Sequence, residues 1–170
     1  MRTKSQNLLL IALIIMPIFF SVVLKTALGF DERGFAVAGT ALLYDWEIIS
    51  LRFHPAPTLV LGVLQEIGLS ALNSVRVLYS LSYFLVVLCL YRIFAVILYL
   101  TRPLLSTATV VIMPALIGLT QFSTLSLFSL ALQLIALTFL LDGLRTRFRS
   151  NFTALFSGVG LGIYYSTRVD

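Results

Sequence analysis

Four long apolar runs decide what this chain can fold into: Leu8–Leu24, Val75–Tyr91, Leu104–Leu119 and Leu125–Leu141, each 16 or 17 residues long. A fifth, Phe152–Tyr165, is shorter at 14 residues and rich in glycine. A helix rises about 1.5 Å per residue, so 17 residues cover roughly 26 Å, close to the hydrocarbon thickness of a bilayer. A soluble core has no room for so many runs in a 170-residue chain that is 59% hydrophobic, with a mean hydropathy of +1.03. The expected fold is an all-α integral membrane protein with about five transmembrane helices, spans 8–24, 75–91, 104–119, 125–141 and 152–165, forming a single module over 1–170.

The run Ala56–Gly68 stands apart. It has 13 residues and carries Gln65 and Glu66 near its end, which suits a helix lying in the interface or re-entering it rather than one crossing the bilayer. Charge tests this choice, because counting Ala56–Gly68 as a span would invert every later loop. With five spans and a cytoplasmic N-terminus, Arg2, Lys4, Arg92, Arg102, Arg145, Arg147 and Arg149 fall inside, and the dense Arg145–Arg149 cluster anchors its short loop there. Six of the seven acids then face outward, with Asp142 alone inside. The net charge of +5 reads as a topology signal flanking apolar spans, so nucleic acid is not an expected partner. The single cysteine, Cys89, excludes a disulfide framework and a cysteine metal cluster.

Lys25–Ser74 becomes one external segment of 50 residues, long enough to demand a purpose. It holds Asp31, Glu32, Asp45 and Glu47. Phe30, Phe35, Ala38, Ala41, Leu42 and Trp46 recur at roughly helical spacing, which predicts an amphipathic interfacial helix whose polar start is Asp31-Glu32. Two roles remain open for that start. The carboxylates cap a helix in a solvated loop, or they serve a lipid-phosphate substrate in the headgroup layer as general base or cation ligand. Asp45 and Glu47 flank Trp46, a residue that prefers the headgroup zone, and read as solvated interface residues. His54 is the only histidine; it either bonds within a turn or ligates a metal, held near the outer surface by Pro55 and Pro57. Arg52 beside it binds a phosphate or snorkels to headgroups.

The order of these parts resembles something known. A first span is followed by "FDERGFAVAGTALLYDWE", then "FHPAPTLVLGVLQEIGLSALNSVRVLYSL", and the chain closes on "GVGLGIYYSTRVD". This is similar to the N-terminal module of the C-type membrane glycosyltransferases, the superfamily of protein O-mannosyltransferases and lipid A aminoarabinose transferases. The resemblance implies two interfacial helices in the first external loop and a plasma-membrane enzyme that moves a sugar from a polyprenyl-phosphate donor to an acceptor on the outer face. It implies that Asp31, with Glu32 beside it, is the catalytic or cation-binding carboxylate, with a divalent cation as candidate cofactor. It also implies that Arg52, His54 and Arg76 lie on the substrate side. Where such enzymes carry a second acid in the next outer loop, this chain reads "PALIGLTQFSTLSLF", with Ser126 near that point. Such enzymes also continue for several hundred residues, so a second membrane subunit carrying the remaining spans is an expected partner, beside the lipid-linked sugar and the bilayer.

The competing reading is a non-catalytic membrane scaffold or lipid-binding subunit that keeps the module. The spans lack the intramembrane acids and lysines that mark ion pathways, which turns the reading away from a transporter or channel.

Overall fold

The structure is a computed structural model that describes residues 8, 11–13, 15, 19, 30–44, 55–112, 124–146, 155 and 158–159. Among them the regular elements are helices, with no strand: α1 Phe30–Tyr44, α2 Pro55–Glu66, α3 Ala71–Arg92, α4 Pro103–Ile112 and α5 Thr124–Arg145. A π-helical turn, Ile93–Ile97, extends α3. The described residues of the first run, among them Leu8, Ile11 and Leu13, are helical, as are Leu155, Gly158 and Val159 of the last.

Two helices are long and apolar enough to cross a membrane, Ala71–Ile97 and Leu125–Arg145, of 27 and 21 residues. Their surfaces suit that role. On α3, Val75, Leu78, Tyr79, Ser82, Tyr83, Val86, Val87 and Cys89 are buried, while Val77, Leu81, Phe84 and Leu88 point outward. A helix apolar on both its packed and its outer face belongs in lipid or in the middle of a large core.

Local chemistry sets the helix ends. The chain leaves α2 through Gly68, whose φ of 96° suits the left-handed residue that ends a helix. Its N–H donates to the Gln65 carbonyl at 2.9 Å, and the Leu69 N–H to the Leu64 carbonyl at 3.2 Å. Two residues later Ser70 caps α3, its side chain accepting from the Asn73 N–H. Pro103 opens α4, where a missing N–H costs nothing.

Two apolar clusters organise the packing. One joins Leu13 of the first run to Tyr79, Tyr83, Val86 and Val87 of α3, Ala108 and Val111 of α4, and Leu127 and Ala131 of α5. The other brings Phe35 of α1 and Leu61 of α2 onto Val75, Leu78 and Phe128, in the first turns of α3 and α5. At the opposite ends of the same two helices, Arg92 forms an ion pair with Asp142, and Arg145 donates from Nη1 to the Val96 carbonyl at 3.0 Å. Hence α3 and α5 run parallel, and the chain between them must return to the starting end. Val75 and Arg92 lie 17 residues apart, about 26 Å along a helix, so the α1–α2 end and the arginine end are separated by about one hydrocarbon thickness.

Of the apolar stripe Phe30, Phe35, Ala38, Ala41, Leu42 and Trp46, Phe35 packs inward, and the side chains of Phe30 and Leu42 lie outside the described residues. The buried positions are Glu32, Phe35, Ala36 and Gly39, while Ala38 and Ala41 are half-buried. The reason is α2, which crosses α1 on its glycine side. Trp46 lies outside the described residues.

Candidate functional site

The helix crossing at Gly39 and Gly62 positions everything at this end of the bundle. A Cβ on Gly62 would stand 2.2 Å from the Gly39 carbonyl oxygen, and one on Gly39 would stand 2.6 Å from the Thr58 oxygen. The two backbones touch, which only glycine permits. Around that contact, Gln65 Nε2 donates to the Ala36 carbonyl at 2.8 Å and to its own Leu61 carbonyl at 3.2 Å. The Tyr44 hydroxyl donates to Glu66 Oε1 at 2.9 Å, tying the last turns of the two helices. Accepting that bond, the Glu66 carboxylate raises the Tyr44 phenol above its ordinary value of 10.0. α1 and α2 therefore form a stiff pair seated on α3.

Glu32 is the acid this pair withdraws from water. It lies in the first turn of α1 with only 4% of its surface exposed, one turn before Phe35, whose ring packs on Val75 and Leu78. The helix seam thus carries Glu32 toward the start of α3, whose second turn contains Arg76. Arg76 is half-buried and donates from Nη1 to Asn73 Oδ1 at 3.3 Å. A carboxylate held out of water must be compensated by hydrogen bonds or charge, and Glu32 does have an interaction partner.

Of the residues singled out from sequence, Glu32 and Arg76 lie on elements that meet at this cluster. Asp31 has its backbone in the first turn of α1, and its side chain lies outside the described residues. Arg52 and His54 also lie outside them. Burial of Glu32 was missed by spacing, because an acid in an apolar stripe breaks the pattern that defines the stripe. The glycine crossing had a legible signal, the Thr58-x-x-x-Gly62 spacing of small residues that lets helices approach closely.

Three other buried hydroxyls bond within their own helices. Ser82 donates to the Leu78 carbonyl at 2.6 Å, Thr138 to Leu134 at 2.6 Å and Thr107 to Pro103 at 2.8 Å, the usual way for hydroxyls to sit in an apolar bundle. Among the described residues no three His, Cys, Asp or Glu side chains gather as cation ligands. Glu32 alone does not fit the several oxygens a divalent cation takes.

Searches for relatives are negative throughout: no family model matches the chain, and neither a curated protein nor a solved structure matches it.

Proposed function

We propose that the chain is a membrane glycosyltransferase module acting on a polyprenyl-phosphate-linked sugar at the outer face of the plasma membrane. The observation that carries the reading is the Asp31-Glu32 pair opening α1, with Glu32 buried at the bundle end remote from the Arg92–Asp142 ion pair. In the five-span arrangement that goes with it, the N-terminus and the Arg145–Arg149 loop are cytoplasmic and the first loop, with α1 and α2, lies outside. Parallel α3 and α5 suit a single return span between them.

The chemistry assigned to the site is a displacement. The acceptor hydroxyl oxygen bonds to the anomeric carbon, the bond from that carbon to the phosphate oxygen breaks, and the hydroxyl proton passes to the Asp31 carboxylate, releasing polyprenyl phosphate. Glu32 sets the start of α1, and Arg76, Arg52 and His54 serve the donor phosphate. A divalent cation belongs to this reading only through Asp31. The test is release of polyprenyl phosphate from a panel of lipid-linked sugars by membranes holding the full chain, with and without a co-expressed second subunit. Asp31→Asn should lower release by about 100-fold or more, the scale for a positioned base. Full activity of that variant would remove Asp31 from the chemistry, and activity that survives a chelator would remove the cation.

One observation favours the second reading, a non-catalytic scaffold or lipid-binding subunit. Ser126 is exposed in the first turn of α5, and the one acid within α5, Asp142, stands at the opposite end. That end of α5 offers no second carboxylate. Absence of release with every donor and subunit combination would decide for the scaffold.

A further inference from the structure

The arginine end of the bundle has a defined architecture of its own. Past Arg92 the backbone passes into the π-helical turn, closed by the Leu98 N–H on the Ile93 carbonyl and the Leu100 N–H on the Phe94 carbonyl, both at 2.9 Å. Tyr99 then takes a φ of 50°, a left-handed conformation that crowds the Cβ of any residue but glycine. Strain of this kind persists only where surrounding contacts hold it. Here the contact is Arg145, whose guanidinium lies 5.0 Å from the Tyr99 ring centre while its Nη1 bonds the Val96 carbonyl.

Two guanidinium groups are thereby pinned, Arg145 on Tyr99 and Val96, and Arg92 on Asp142. Both remain exposed. Arg102 follows three residues after Tyr99 and is exposed as well. Residues 92–102 and 142–146 hold three arginines against one aspartate, a net charge of +2. Leu98 and Leu144 are 55% and 59% exposed, and Leu100 is exposed beside them.

We infer that this end binds the headgroup of an anionic phospholipid. Arg145 and Arg102 take the phosphate, and Leu98, Leu100 and Leu144 lie along the acyl chains. Two features choose a lipid over a free anion and over a merely hydrated basic loop. The cations are all arginines, whose planar fork matches phosphate, and one is held in place by an aromatic ring before any ligand arrives. The exposed leucines, in turn, have no use for inorganic phosphate, whereas an amphiphile covers both kinds of surface. The inference is independent of sugar transfer.

The test uses the full chain in nanodiscs of phosphatidylcholine with or without phosphatidylglycerol, read by lipid retention in native mass spectrometry. Wild-type protein should retain phosphatidylglycerol in preference to phosphatidylcholine. Arg102→Gln and Arg145→Gln should each weaken that retention about five-fold, the effect of one cation at a lipid surface. Arg145→Lys should fall between, having charge without the fork. Arg33→Gln, on exposed α1 surface at the other end, should change nothing, and added inorganic phosphate should not displace the lipid. Should Arg145→Gln fail to fold, Arg102→Gln and Arg145→Lys carry the decision. Equal retention by wild type, Arg102→Gln and Arg145→Lys would overturn the inference, as would an equal loss in Arg33→Gln or displacement by phosphate.

Discussion

Gly62→Ala isolates the backbone contact on which the α1–α2 pair depends. The added Cβ would meet the Gly39 carbonyl oxygen at 2.2 Å, about 1 Å inside an ordinary carbon–oxygen contact, so the helices must part by about that much. The Gln65 bond to Ala36, at 2.8 Å, would stretch past useful length, a loss of about 1 kcal/mol. Overpacking costs a further ~1–3 kcal/mol, and alanine returns up to about 1 kcal/mol of helix propensity. The net effect is about 2 kcal/mol of destabilisation, or roughly 5 °C in melting temperature for a chain of this size. The chain contains its own reporter: Cys89 is the single cysteine and is buried, so a thiol-reactive dye in detergent reads unfolding directly. Gly158→Ala is the control, because a Cβ there meets nothing within 4 Å. Once one substitution has parted the helices a second costs less, so Gly39→Ala with Gly62→Ala should be less than additive. A Gly62→Ala protein that melts with or above the Gly158→Ala control would refute the reasoning.

Arg92→Gln and Asp142→Asn should each cost little, since the Arg92 side chain is 53% exposed and Asp142 16%; a double-mutant cycle should show a coupling of ~1 kcal/mol or less. With Cys89 replaced by alanine, a cysteine at Val37 should react with an impermeant reagent on intact cells while one at Arg147 should not, and labelling at position 147 would end the five-span arrangement. Alkali should loosen the α1–α2 pair. Because the folded Tyr44 phenol is raised above its unfolded value, its contribution is full below about pH 10 and is lost as pH climbs through the folded value. Tyr44→Phe should therefore remove that part of the alkaline decline in melting temperature. Glu32→Gln should lower the melting temperature, because its side chain is buried and a buried carboxylate is held there by its partners.

Helices were legible wherever a local pattern sufficed. The run Val75–Tyr91 lies within α3, Leu125–Leu141 within α5, and Ala56–Gly68 nearly coincides with α2, because apolar length and the flanking Pro55 and Gly68 are properties of neighbouring residues. What escaped were relations between distant residues. The approach of Gly39 to Gly62, the pairing of Arg92 with Asp142 and the burial of Glu32 depend on which faces meet, and a turn of one helix by a single residue, about 100°, would change each of them. Asp142 carried a hint, as the one acid expected among inward-facing arginines.

The parallel course of α3 and α5 has a consequence for synthesis. Arg92 leaves the ribosome 50 residues before its partner Asp142, an interval of about 3–10 s at ordinary elongation rates. For that time α3 ends in a charge without its ion-pair partner while α4 and then α5 are delivered. The ion pair can close only when α5 has been delivered beside α3, so it acts as a latch on the finished helix pair. A nascent chain released before Asp142 has the helix but not the fastening.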